Sequence, residues 1–107
     1  IRSYSPLITN VDQDSPVLPV RFTLGQNYPN PFNPSTIIAF DLPQAGKVTL
    51  KVYTILGQEV ATLLDEVRPA GTYTVDFSAD RLPSGIYFYQ VVTETGVRET
   101  RKMVLMK

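Results

Sequence analysis

From Phe22 onward, apolar and polar residues alternate in short runs separated by turn residues, and no window carries an apolar stripe at helical spacing. Alternation puts every second side chain on one face of an extended chain, so each run predicts a half-buried β-strand. Phe22–Leu24 predicts a short first strand. Thr36–Leu42 sets Ile38, Phe40 and Leu42 on one face, and Lys47–Thr54 turns Val48, Leu50 and Val52 inward with Thr49, Lys51 and Tyr53 outward. Glu59–Leu64 is a fourth, less regular run. Thr72–Phe77 aligns Tyr73, Val75 and Phe77, and Ile86–Thr93 and Arg98–Met106 bring the number to seven. Pro43-Gln44-Ala45-Gly46 and Glu94-Thr95-Gly96 read as hairpin loops, with Gly where a positive φ is needed, and Leu56-Gly57 separates the third run from the fourth. The expected fold is all-β, an immunoglobulin-like antiparallel β-sandwich of about seven strands.

Residues 1–21 differ in character. Pro6, Pro16 and Pro19 lie among Ser, Asn, Asp and Gln without a sustained period, which reads as an upstream tail and linker with one short strand near Ile1–Tyr4. The expected division is therefore a linker over 1–21 and one β-sandwich domain over 22–107. The opening Ile1-Arg2-Ser3-Tyr4 has neither Met nor a signal-peptide pattern, so further sequence is expected to precede it. The apolar runs Ile37–Phe40 and Met103–Met106 fall far short of the ~20 residues that span a bilayer, and no direct membrane insertion is expected.

Two turns repeat one another. Arg68-Pro69-Ala70-Gly71-Thr72-Tyr73 and Leu82-Pro83-Ser84-Gly85-Ile86-Tyr87 share the pattern x-Pro-small-Gly-x-Tyr. Pro sets φ at the start of the turn, Gly closes it, and Tyr enters the next strand pointing inward. In Ile86-Tyr87-Phe88-Tyr89 both faces are bulky: Tyr87 and Tyr89 are expected inward, and Ile86 and Phe88 then need a loop or a partner to cover them.

Composition narrows the function. Ten Lys plus Arg against ten Asp plus Glu give zero formal charge, which argues against nucleic acid as a partner. The absence of Cys and His removes disulfides, the common transition-metal sites and Ser-His or Cys-His nucleophiles. Scattered Gly residues build no phosphate-cradling loop. Asp76 and Asp80 flank one loop, but a glycosidase pair needs a walled cleft, and they read as turn-forming, solvated carboxylates. No catalytic residue, metal or cofactor is expected. Tyr28, Phe32, Tyr53, Phe88 and Tyr89 are candidates for a sugar-binding platform, against which stands ordinary core packing. A carbohydrate-binding or structural accessory module of an extracellular hydrolase is thus an alternative.

The segment Gln26-Asn27-Tyr28-Pro29-Asn30-Pro31-Phe32-Asn33-Pro34-Ser35-Thr36 holds three Pro and three Asn. Pro bars helix and central strand, and Asn side chains bond nearby backbone, so a fixed irregular loop is expected, with Tyr28 and Phe32 folded back as plugs. Together with Ile38-x-Phe40-x-Leu42-Pro43, this run resembles the start of the type A C-terminal sorting domain of type IX secretion substrates. Val52-Tyr53-x-x-x-Gly57-Gln58-Glu59-Val60, Ala70-Gly71-x-Tyr73-x-Val75-x-Phe77, Leu82–Tyr89 and Thr100–Lys107 follow in the family's order. The family is related to an immunoglobulin-like domain of a flagellar hook-capping protein. Where Phe77 stands, the family often has Trp followed by Asp-Gly; here Ser78-Ala79-Asp80 follows.

The resemblance implies an address rather than an enzyme. It implies a cargo domain upstream in the same chain, recognition of the folded domain in the periplasm by the secretion translocon, and residence at the cell surface or outside the cell. It further implies a sortase-like surface peptidase that removes the domain, with cleavage expected before Phe22. Candidate partner-recognition residues are Asn30, Pro31, Asn33 and Pro34 in the loop, Gly85 and Tyr87 in the second Pro-Gly-Tyr turn, and Arg101, Lys102 and Lys107 on the last strand. That strand is expected at or near a sheet edge, its cations flanking a backbone row open to a receptor strand; the same cations also serve plain edge protection.

Overall fold

The computed structural model describes residues 19–107. The strand expected near Ile1–Tyr4 and the expected cleavage region lie largely outside the described residues. Seven strands form: β1 Thr23–Leu24, β2 Ser35–Leu42, β3 Gly46–Thr54, β4 Glu59–Arg68, β5 Gly71–Ser78, β6 Gly85–Thr93 and β7 Arg98–Leu105. They make two antiparallel sheets, ordered β1-β2-β5 and β4-β3-β6-β7. The expected β-sandwich is present. Non-consecutive neighbours, β2 with β5 and β3 with β6, give it the crossed connections of an immunoglobulin-like sandwich.

The core follows from the alternation. Ile38, Phe40 and Leu42 from one sheet meet Val48, Leu50, Val52, Tyr89, Val91, Met103 and Leu105 from the other, and all are buried. Phe40 stacks on Tyr73 at 5.4 Å between ring centroids and meets Phe22 edge-on at 6.2 Å, both within the range of favourable aromatic pairs.

The irregular fourth run has a geometric cause. Leu50 pairs with Leu64 but Lys51 with Thr62, and Val52 pairs with Ala61 but Tyr53 with Glu59. Leu63 and Val60 are therefore extra residues in β4, two bulges that shift the side-chain phase. The strand also runs four residues past Leu64, to Arg68. There the side chains are charged or exposed, so alternation carries no signal, while the backbone ladder with Gly46–Thr49 continues.

The repeated turn is one device used twice. The hydroxyl of Tyr73 donates to the carbonyl of Pro69, and that of Tyr87 donates to the carbonyl of Pro83 at 2.7 Å. Each Tyr reaches back four residues and ties its own strand to the turn that delivered it, as a tyrosine corner does. We expect Tyr87→Phe to lower stability by about 0.5–1.5 kcal/mol in urea unfolding, the net worth of one internal hydrogen bond. Tyr73→Phe should cost less, because Tyr73 is only half-buried.

Candidate functional site

The Asn-Pro segment is a strap that joins the two sheets. Past β1 the chain continues along β2: Gly25 N–H donates to Ala39 at 2.8 Å, and Tyr28 and Ile37 exchange both backbone bonds at 2.9 Å. It then crosses to β7. Phe32 N–H donates to the Val104 carbonyl, and the Phe32 carbonyl accepts from Met106 N–H, each at 2.9 Å, so Phe32 makes a parallel bridge to Leu105. The Phe32 ring is buried, its centroid 6.1 Å from that of Phe77. The Tyr28-Pro29, Asn30-Pro31 and Asn33-Pro34 peptide bonds are cis.

Side chains complete the join. The Asn30 Oδ1 accepts from Val104 N–H at 2.9 Å, Gln26 Nε2 donates to the Lys102 carbonyl at 2.8 Å, and Arg101 Nε donates to the Leu24 carbonyl at 2.6 Å. Beneath the strap lies a buried polar network. The Tyr89 hydroxyl donates to the Gly25 carbonyl at 2.6 Å and accepts from Asn27 N–H at 2.8 Å. Asn27 Nδ2 donates to Thr36 Oγ1 at 3.0 Å and to the Pro29 carbonyl at 3.1 Å, and Thr36 donates to that carbonyl at 2.9 Å. Burial pushes the Tyr89 hydroxyl above its ordinary pKa of 10.0, with smaller opposing pulls from its bond to Asn27 and from Arg101.

The structure sorts the candidate residues into three kinds. Asn30, Pro31 and Asn33 are exposed on the strap, and Pro34 is half-buried with its carbonyl accepting Ala79 N–H at 2.9 Å. That bond draws Ser78-Ala79-Asp80 onto the strap, with Ala79 buried. Asn30 meets Val104, Gly85 pairs with Leu105, and Lys107 reaches Ser84 Oγ and the Asp80 carbonyl, so these residues share one end of the sandwich. Tyr87 is buried and presents nothing to a partner. Arg101 and Lys102 lie further along β7, both exposed.

Two expectations need correction. Tyr28 does not fold back: it is 79% exposed, because pairing with Ile37 turns Asn27, its neighbour, inward to the Tyr89 network. Nor is the backbone row of β7 open along its length. The strand is at the sheet edge among the described residues, but the outward groups of Lys102 (carbonyl), Val104 and Met106 (N–H) are taken by Gln26, Asn30 and Phe32. By the same two-residue alternation the backbone of Arg98 and Thr100 faces outward, without a partner among the described residues.

Gln26, Asn27 and Thr36 are the residues that sequence reasoning missed. Thr36 falls in phase with Ile38 and Phe40 on the inward face, and a polar residue on that face was the available signal. The five aromatics considered as a sugar platform do not share a surface, since Phe32 and Tyr89 are core. Ile86, 39% exposed, and half-buried Phe88 lie on the outer face of the larger sheet, beside Val104 and between Tyr53 and Lys102, with Ile55 and Gly57 of the β3–β4 loop near Phe88. No group of three or more acidic side chains converges on a metal-sized point among the described residues.

A family model described as the secretion system C-terminal sorting domain matches residues 26–106. The chain belongs to that family. The matched region opens at Gln26, whose side chain reaches Lys102, and closes at Met106, whose N–H reaches Phe32, so it coincides with the unit that the strap ties together. The sorting domain is the signal for type IX secretion; it is not catalytic, it engages the secretion machinery, and it directs export to the cell surface or the extracellular space. Among solved structures, dimeric latent PorU from Porphyromonas gingivalis aligns with TM-score 0.62 and 17% identity over 90% of this chain and 10% of that one. The likeness is one of fold, and the sorting domain spans a tenth of that chain's length. No curated protein matches the chain.

Proposed function

We propose that the secretion translocon reads the folded surface made by the strap and β7, and that the sorting domain conducts a cargo domain carried upstream in the same protein. One observation supports this reading above the rest. Motifs some seventy positions apart in sequence, the Asn-Pro run and the last strand, form a single continuous surface. A receptor that reads this surface needs a folded domain and not a linear tag. Within it, Asn30, Pro31 and Asn33 supply exposed rigid loop, and Arg101, Lys102 and Lys107 supply positive charge for an acidic counterpart. Tyr28 and Ile37, exposed side by side at the start of β2, add an apolar spot. A surface peptidase of the sortase type then separates domain from cargo within residues 1–21, upstream of the sandwich.

The test fuses residues 1–107 behind a periplasmic reporter in a type IX-competent host. Export of the fusion, and its loss in Asn33→Ala/Lys102→Glu/Lys107→Glu with thermal unfolding unchanged, is the expected result. Undiminished export of that triple variant would remove the surface from the recognition step.

A further inference from the structure

We propose that the strap and β7 form a two-part latch, so that the sorting surface assembles only when residues 102–106 are in place; this rests on the sorting role above. The strap cannot order itself. Pro29, Pro31 and Pro34 have no N–H, so the segment cannot build a ladder of its own. Its anchors come from elsewhere: Ile37 and Ala79 on the side of the smaller sheet, and Lys102, Val104 and Met106 on the other.

Remove the second set and the losses fall together. Phe32 loses the partners of its N–H and its carbonyl, Asn30 loses the donor to its Oδ1, and Gln26 loses the Lys102 carbonyl. The parallel bridge between Phe32 and Leu105 goes with them. The dependence is mutual, because without the strap the carbonyls of Lys102 and Val104 and the N–H groups of Val104 and Met106 become an unguarded strand edge. Meanwhile the β2–β5, β3–β4 and β3–β6 ladders use none of these groups. The latch can therefore open without breaking these ladders, although opening takes the Phe32 ring out of the core.

Its partners are separated by 76 and 74 positions at the Gln26–Lys102 and Asn30–Val104 bonds. A chain that stops short of Met106 presents the Asn-Pro motif in sequence but not in shape. A translocon reading the strap thereby rejects unfinished domains, with no separate inspection step.

Val104→Pro tests the latch directly. The Val104 N–H points outward to Asn30 and takes no part in the ladder to β6, and Pro is tolerated at an edge position of that kind. Amide exchange on the full chain should show the Phe32 amide losing most of its protection while Val48, Leu50 and Val52 stay protected, because the strap then opens without global unfolding. Export of the reporter fusion should fall in proportion to the fraction of molecules whose strap is closed, and so be largely lost where the Phe32 amide is unprotected. Gln26→Ala/Asn30→Ala leaves every strand intact and should move exchange and export in the same direction, which covers the case in which Val104→Pro does not fold. Strap amides that stay protected in both variants overturn the latch, and so does normal export with an opened strap. Failure of the intact fusion to leave the cell would instead overturn the sorting role.

Discussion

Phe32→Ala is expected to destabilise the domain by about 3–5 kcal/mol, the largest effect of any single substitution on the strap. The ring is almost wholly buried and meets Phe77, so its removal leaves a cavity between the two sheets. Whole-domain stability for a chain of this size is roughly 5–15 kcal/mol, so the loss is a large fraction of it. Urea unfolding measures it directly. Phe32→Leu, which keeps most of the apolar volume, should recover at least half of the loss. If Phe32→Ala lowers stability by less than about 1 kcal/mol, within the range of an ordinary surface change, the ring does not plug the sandwich.

Tyr89→Phe is expected to cost about 1–3 kcal/mol, more than Tyr87→Phe, although each removes a single oxygen. The difference lies in what is left behind. The Tyr89 hydroxyl serves both the Gly25 carbonyl and the Asn27 N–H, and its loss strands two backbone groups beneath the strap. The same residue sets an alkaline limit. Its folded pKa is raised above 10.0, chiefly by burial, so below that pH the tyrosine is neutral folded or unfolded and its contribution is fully present. As pH rises past 10.0 the unfolded chain gives up this proton first, and the contribution is lost as the folded pKa is approached. Denaturation midpoints measured across that window should fall more steeply for the parent than for Tyr89→Phe. Equal slopes would mean that Tyr89 ionises in place.

Much of the sandwich was legible because burial on one face imposes a two-residue period. Ile38-Phe40-Leu42 and Val48-Leu50-Val52 announce their faces with no knowledge of the partner sheet. The period fails where the backbone breaks it. Val60 and Leu63 sit in bulges, and the alternation of β4 is lost there although both residues still lean on the core. The strap was legible as rigid, from its Pro and Asn content, but not in its contacts. That Tyr28 would face water and Asn27 the interior depends on the bridge to Ile37 and on a hydroxyl 62 positions away at Tyr89. Charge gave no hint that Arg101, exposed like Lys102, spends its guanidinium on the Leu24 carbonyl. Local pattern reports which way a side chain points; it does not report which distant edge it meets.

The larger sheet ends on one side in β4, with its two bulges and its ion pairs from Asp65 to Lys47 and Glu59 to Lys51, and on the other in a strand half-sheathed by the strap. Bulges and charges spoil the flat, repeating register that a neighbouring molecule needs to extend a sheet, and the sheath leaves only a short stretch of β7 bare. The larger sheet therefore offers a neighbouring copy little edge on which to add a strand.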